Sequence, residues 1–410
     1  MHLKKTAILI LLTFAILNAG CTGQAPHKEP KVKYVFYYIG DGMGLSQISL
    51  TEAYLASNEG KIGNTALNFS QFPVIGLATT YSASNFITES SAAGTALSTG
   101  EKTTNSMLGT RPDSSFLRSI TYDIQDAGYA VGIVSSVTLN HATPAAFYAN
   151  STSRSDYYSI AQQLPKTGFA FFGGGGLSLP TGKNNDQPSV YESITASGYT
   201  IARGAGSYKL LKDKAQKMYY TQAQDVEGDL PYAIDRKEGD LTLPMVVEAA
   251  IDFLYNPQGK GFFLMCEGGK IDWAAHSNDA KTTILEMIDF TEAISLAIDF
   301  YKKHPQETLI VVTGDHETGG LSLGFMSGYQ LFFDALEDQT GSIDNDTSIT
   351  EEVRKSNREA RIGWTTSSHT GVALPVFSMG VQSGLFGGRM DNTDIPKKII
   401  TAMGIPRLQE

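Results

Sequence analysis

Only two cysteines, Cys21 and Cys266, occur in 410 residues. So few leave no disulfide framework, and the fold must rest on its core and on bound ligands. No low-complexity tract and no Pro/Gly/Ser-rich linker divides the chain, which excludes a fibrous or disordered protein and argues for one large domain. Basic residues are outnumbered, 32 Lys and Arg against 42 Asp and Glu, for a net charge of −10. That balance disfavours nucleic acid or an anionic membrane as a partner and leaves acids to spare for neutralising metal ions. The apolar run Ala7 to Leu17 is too short to span a bilayer.

That run follows Lys4 and Lys5 and ends in Leu17-Asn18-Ala19-Gly20-Cys21, a lipobox-like string, although Asn18 stands where an aliphatic residue is preferred. Residues 1–20 therefore read as a secretory signal peptide and 21–31 as a polar tail lipidated at Cys21. An ordinary signal peptide cut nearby, with Cys21 a free thiol, is the alternative. Either way the protein is expected to be exported, as a periplasmic or membrane-anchored lipoprotein, and removal of the signal takes the charge to −12.

Residues 32–410 read as a single catalytic domain. Dense β-branched and aromatic runs at Val32 to Ile39, Tyr129 to Val134, Gly261 to Cys266 and Leu309 to Thr313 alternate with helical stretches such as Thr242 to Leu254 and Lys281 to Tyr301. Such alternation predicts an α/β fold, a mostly parallel central sheet flanked by helices on both faces. Ligands bind beyond the carboxyl ends of such strands. Two stretches break the pattern, about 173–240 and 321–366, and are expected to be insertions near the rim of the site, the second crown-like. The glycine run Gly173 to Gly176 lacks the residues of a P-loop and the spacing of a dinucleotide fingerprint, so a flexible turn is expected there.

The chemistry-bearing residues follow the strands. Asp41 lies between glycines in Gly40-Asp41-Gly42-Met43-Gly44 and, alone, is as readily a turn former as a ligand. Asp315-His316 pairs a carboxylate with an imidazole at a strand end, a donor set that suits zinc, with a capped turn equally open. Glu267 ends another strand, and Asp272 and His276 are four apart, on one helical face. Ser90, in Thr88-Glu89-Ser90-Ser91-Ala92, falls at a helix N-terminus, where N–H groups and the helix dipole favour an anion; by its own string it is more often a cap than a nucleophile.

Together with His141-Ala142-Thr143-Pro144 and His369-Thr370-Gly371, these strings stand in the order found in alkaline phosphatases, and the chain resembles that family over roughly residues 32 to 385. The resemblance implies phosphate monoester hydrolysis through a covalent phosphoserine at Ser90. It implies two Zn2+ and one Mg2+: Asp41, Asp315 and His316 for the zinc beside the nucleophile; Asp272, His276 and His369 for the second; Asp41, Thr143 and Glu267 for magnesium. Arg154 matches the phosphate-gripping arginine. Two cations about 4 Å apart can steady both the attacking and the leaving oxygen. Three departures stand out: Glu89 where Asp is usual, His141 where some members have Asp, and Trp273 where others have Lys or His. His141 opens the third site to zinc or serves as a supporting partner, and Trp273 is expected to be wall rather than ligand. A diesterase or sulfatase of the same superfamily is the nearest rival, although no Cys/Ser-x-Pro-x-Arg string accompanies Ser90. A catalytically dead metal-binding lipoprotein is another. The physiological ester and the oligomeric state, a homodimer included, stay open.

Overall fold

The strand Tyr34–Gly40 is buried along its whole length, with alternate residues entering two different cores. Val35, Tyr37 and Ile39 join one hydrophobic cluster while Tyr34, Phe36 and Tyr38 join the other. A strand apolar on both faces belongs in the middle of a sheet covered by helices on each side. The computed structural model, which describes residues 32–223 and 228–406, places it there. From edge to edge the ten-stranded sheet runs Gly388–Asp391, Val74–Thr79, Leu374–Gly380, Thr308–Gly314, Tyr34–Gly40, Phe262–Gly268, Ala130–Ser135, Phe171–Gly174, Lys217–Thr221, Tyr199–Arg203. Every neighbouring pair is parallel except those made by Leu374–Gly380, which is antiparallel to both its neighbours. The fold is thus the expected mostly parallel α/β sheet. The proposed signal peptide and Cys21 tail lie outside the described residues, and among those residues no helix is long and apolar enough to cross a membrane.

Register matters most for function. Gly40 pairs with both Gly268 and Gly314, and Ile39 with Glu267 and Thr313, so three central strands end at one level. Ser135, the last residue of the next strand, also pairs with Glu267. Asp41, Glu267 and Asp315 are therefore delivered side by side at the carboxyl edge of the sheet.

Two expectations are corrected. The stretch 173–240 is not only an insertion, because Tyr199–Arg203 and Lys217–Thr221 complete the far edge of the parallel sheet. Tyr199–Arg203 is half-exposed, which dilutes its apolar signal. The glycine run is not a flexible turn either. Gly174 has φ +130, and a Cβ there would stand 1.8 Å from the Ser135 carbonyl oxygen, so the run is a close backbone approach that only glycine permits. The stretch 321–366 contains a short antiparallel ladder of Leu321–Leu323 with Ile362–Trp364 and a helix Thr350–Glu359, and its Phe333 and Ile362 share a small core with Leu50 and Ile284 of the main helices.

Candidate active site

At the level where the central strands end, Asp41 Oδ1 and Asp315 Oδ2 lie 3.4 and 3.3 Å from His316 Nε2. All three side chains are fully buried. Neither carboxylate oxygen has a hydrogen-bond partner, although buried oxygens are almost always satisfied. Ser90 Oγ stands 3.3 Å from the same His316 nitrogen. Ser90 opens the helix Ser90–Thr99, whose N-cap is Glu89: its carboxylate accepts from the Ser91 and Ala92 N–H groups. The nucleophile candidate is thus held at a helix N-terminus against a converging oxygen–oxygen–nitrogen donor set.

A second group lies beside the first. His276 sits four residues after Asp272 on the helix Lys270–His276, with Nε2 3.3 Å from Asp272 Oδ2. His369 arrives from the other direction, its Nε2 3.1 Å from His276 Nε2 and 3.7 Å from Asp272 Oδ1. Each imidazole is oriented through its other nitrogen, His276 Nδ1 on the Ser367 carbonyl and His369 Nδ1 on the Thr88 carbonyl. Imidazoles aimed at a metal are oriented in this way. Gly42 makes the approach of the two groups possible, since at φ +73 a Cβ would fall 2.7 Å from the Asp272 Cα.

The third group gathers around the second oxygen of Asp41, on which Thr143 Oγ1 donates at 3.3 Å. Glu267 takes one hydrogen bond from Ser135, and its Oε1 is buried without a partner. His141 joins Asp41 and Glu267 within reach of a shared ion. Arg154 Nη2 lies 3.0 Å from His141 Nε2, and His141 Nδ1 is unpartnered. Trp273 meets His141 edge-on at 5.6 Å between ring centres. Arg154 also donates through Nη1 to Glu89.

The electrostatics fit a cation-binding site. Burial, reinforced by Asp315, Asp272 and Glu267, pushes Asp41 well above the usual carboxylate range. Burial takes Glu267 up to about 8 and, with the Asp272 charge, Asp315 to about 7. Burial would raise Asp272 as well, but the His276 hydrogen bond and the neighbouring imidazoles outweigh it and hold that carboxylate low. Burial, reinforced by Arg154, holds His141 neutral, at about 3. So many carboxylates cannot all ionise in one buried place without positive charge beside them. The unpaired oxygens and the imidazoles of His141, His316 and His369, which burial holds toward the neutral form, are donors that divalent metals use, whereas at His276 burial is outweighed by the Asp272 hydrogen bond, which raises that imidazole to about 9.

Comparison with known proteins decides the family. The alkaline phosphatase family profile matches residues 32–336 and 332–405. The chain belongs to that family. It is 31% identical to alkaline phosphatase 3 of Bacillus subtilis strain 168 across 98% of this chain and 96% of that protein. Among solved structures it is similar to a variant of the alkaline phosphatase from the Antarctic bacterium TAB5 with Mg bound in the M3 site, at TM-score 0.76 and 31% identity, covering 93% of this chain and 100% of the other. The Thermus thermophilus alkaline phosphatase matches at TM-score 0.79 and 26% identity, with 96% of each chain covered. The protein is a phosphatase enzyme; its family uses metal ions and supports phosphomonoester hydrolysis.

Ser90, Glu89, Arg154, His141, Trp273 and the candidate metal donors lie close together at this edge of the sheet. Others were missed. Ser135 donates to Glu267. Thr318 Oγ1 donates to Asp272 and lies 3.2 Å from His316 Nδ1. Glu317 is buried behind the ligands. The available signal was polarity directly after a buried strand, in Asp315-His316-Glu317-Thr318 and at the end of Ala130–Ser135.

Proposed function

We propose that this enzyme hydrolyses phosphate monoesters through a covalent phosphoserine at Ser90, with two Zn2+ and one Mg2+ as its resident ions and zinc also admissible at the third site. The observation that carries the reading is Ser90 Oγ at 3.3 Å from His316 Nε2, beside two buried carboxylate oxygens that lack any partner. Asp41, Asp315 and His316 would hold one zinc; Asp272, His276 and His369 the other; Asp41, Thr143 and Glu267 the magnesium. When bound, these ions supply positive charge that eases ionisation of the Ser90 hydroxyl and steadies the attacking and leaving oxygens.

The chain's own groups do the rest. Ser90 Oγ forms the bond to phosphorus as the bond to the departing alcohol breaks, and because Glu89 already occupies the Ser91 and Ala92 N–H groups, the dianion it then carries falls to Arg154. Water cleaves the phosphoserine, releasing phosphate and restoring the hydroxyl. Arg154, fixed by Glu89 and His141, orients the phosphoryl oxygens throughout. His141 supports Arg154 and the third site together. We further propose export with lipid anchoring at Cys21; an unlipidated Cys21 in mass spectra of the mature protein would reject the anchor.

The test is hydrolysis of an aryl phosphate and of its diester by purified enzyme, with and without chelator, alongside Ser90→Ala. The monoester should be strongly preferred, and chelator or the substitution should abolish turnover. Full activity in either case rejects the mechanism, whereas preference for the diester rejects only the substrate class.

A further inference from the structure

Glu317 follows His316 directly and is 2% exposed, and the partners of its carboxylate, Gln47, Gly320, Leu321 and Thr370, are not among the candidate metal donors. Its carboxylate nevertheless accepts hydrogen bonds from three separate parts of the chain. Gln47 Nε2 donates at 2.9 Å from the helix Leu45–Asn58, which begins just after the Asp41 turn. The Leu321 and Gly320 N–H groups donate at 3.1 and 3.3 Å from the turn that Glu317 itself enters. Thr370 Oγ1 donates from the segment that carries His369.

The connections are tight on every side. Gln47 also donates to the Thr318 carbonyl at 2.8 Å and accepts from Gly44 N–H at 3.0 Å, so the Asp41 turn, the helix start and the Glu317 strand share one side chain. A Cβ on Gly44 would fall 2.5 Å from Glu317 Cγ. The His369 segment, in contrast, is held to the rest of the site by a short stretch of backbone: His369–Thr370 pairs with Glu317–Thr318 over two residues, preceded by the Gly319 N–H bond to the Ser368 carbonyl at 2.9 Å. A ladder that short does not hold its own register in water. The side-chain bond from Thr370 to Glu317 lies across that ladder, opposite the pair His369–Thr318.

We propose that Glu317 is a positioning residue that sets His369 against Asp272 and His276, and so governs zinc affinity at that group without touching the ion or the substrate. A buried carboxylate that accepts from an amide, a hydroxyl and two backbone N–H groups is a rigid four-way clamp, because each charge-assisted bond fixes a direction as well as a distance. Loss of the clamp leaves the His369 imidazole guided by the Thr88 carbonyl at Nδ1 and by its stacking on the His316 ring. Outer partners of metal ligands act in this way, and their removal commonly weakens metal binding by about 10- to 100-fold.

The inference rests on the two-zinc reading, and one experiment separates the two. Zinc is titrated against a competing chromophoric chelator in the wild-type enzyme and in Glu317→Ala, Glu317→Gln and Thr370→Val, with thermal melts of each metal-free protein. In Glu317→Ala one zinc is expected to bind about 10- to 100-fold more weakly while the other is little changed. Thr370→Val, which cuts only the bond to the His369 segment, should move the same zinc by a smaller factor, and Glu317→Gln should fall between. Excess zinc should restore most of the lost kcat on an aryl phosphate. Unchanged affinities in Glu317→Ala, or a lowered melting temperature with no change in zinc binding, would overturn the proposal by reducing Glu317 to a stability role. Should Glu317→Ala not fold, unchanged zinc binding in Thr370→Val overturns it. Failure of the wild-type enzyme to bind zinc at all would instead defeat the two-zinc reading.

Discussion

The floor and the rim of the site are built differently. Asp41, Glu267, Asp315 and His316 are fully buried at the ends of strands that pair along their full length in the middle of the sheet. His276 and His369 hang from a seven-residue helix and a two-residue ladder, and the His276 side chain is 36% exposed. The floor is positioned by backbone hydrogen bonds that cannot shift without disrupting both cores. The rim depends on side-chain contacts, each of which can be removed singly. One site thus joins a rigid donor group to an adjustable one.

The comparison makes its largest prediction for ligand substitutions. His316→Ala should lower kcat by about 10³-fold or more, because it removes a donor beside Ser90 from a place that cannot rearrange. His369→Ala should cost about 10- to 100-fold and recover in part with added zinc, since neighbouring groups or water can fill a rim position. Steady-state kinetics at several zinc concentrations would check the contrast. Equal losses with equal rescue would mean that the floor is as adaptable as the rim.

The next effect concerns stability. In the metal-free protein burial raises Glu267 from 4.5 to about 8 and Asp315 from 3.8 to about 7. The folded state therefore binds more protons than the unfolded chain between those values. The stability tied to these protons is fully present below the unfolded pKa values and is lost as pH climbs through the folded ones. Buried His141, His316 and His369 give the opposite slope up to the ordinary histidine range, so above it, from about pH 7 to pH 8, chelated protein should show a falling melting temperature, and bound metal should abolish the slope. Thermal melts across that window with and without chelator test this, and a chelated protein that gains stability with pH would contradict it.

The floor was legible in the sequence because central strands are apolar on both faces, and runs such as Tyr34-Val35-Phe36-Tyr37-Tyr38-Ile39 announce themselves. The antiparallel strand Leu374–Gly380, its neighbour Val74–Thr79 and the edge strand Gly388–Asp391 did not. Ile75 and Leu77 are exposed, Gly76 interrupts their run, and Pro375 stands inside a paired strand. Asp315-His316 could be seen as a ligand pair, but the shared level of Gly40, Gly268 and Gly314 is a fact of tertiary pairing that no local string contains. The roles of the individual ligands came from family resemblance. Supporting residues escaped for a simpler reason: Ser135, Glu317 and Thr318 are ordinary polar residues, and only burial shows that their hydrogen bonds reach inward.

Arg154, held by Glu89 and His141, belongs to neither region, and a smaller effect centres on it. Glu89 occupies Arg154 Nη1 with a carboxylate that also caps the Ser90–Thr99 helix through Ala92 N–H at 2.8 Å and holds Ser106 N–H at 2.9 Å. Aspartate would keep the cap, being a favoured N-cap residue, but would not reach as far. Glu89→Asp should then free Nη1 for phosphate and lower the phosphate inhibition constant by about three- to tenfold, with kcat falling if release limits turnover. An unchanged inhibition constant would show that Glu89 does not restrain the arginine.

The smallest change is expected at Trp273. Its ring meets His141 edge-on at 5.6 Å and Lys270 Nζ at 5.9 Å, contacts that shape the wall without supplying a donor to any ion. Trp273→Phe keeps an aromatic edge against His141 while removing the indole N–H and some volume. Activity on a small aryl phosphate should stay within about twofold of wild type, since an edge contact of this kind contributes only about 0.5–1.5 kcal/mol. Chelator titration should likewise find the third ion held as before. A loss as large as that of His369→Ala would move Trp273 from wall to working part, and the adjustable half of the site would extend along the helix Lys270–His276 as well as the His369 segment.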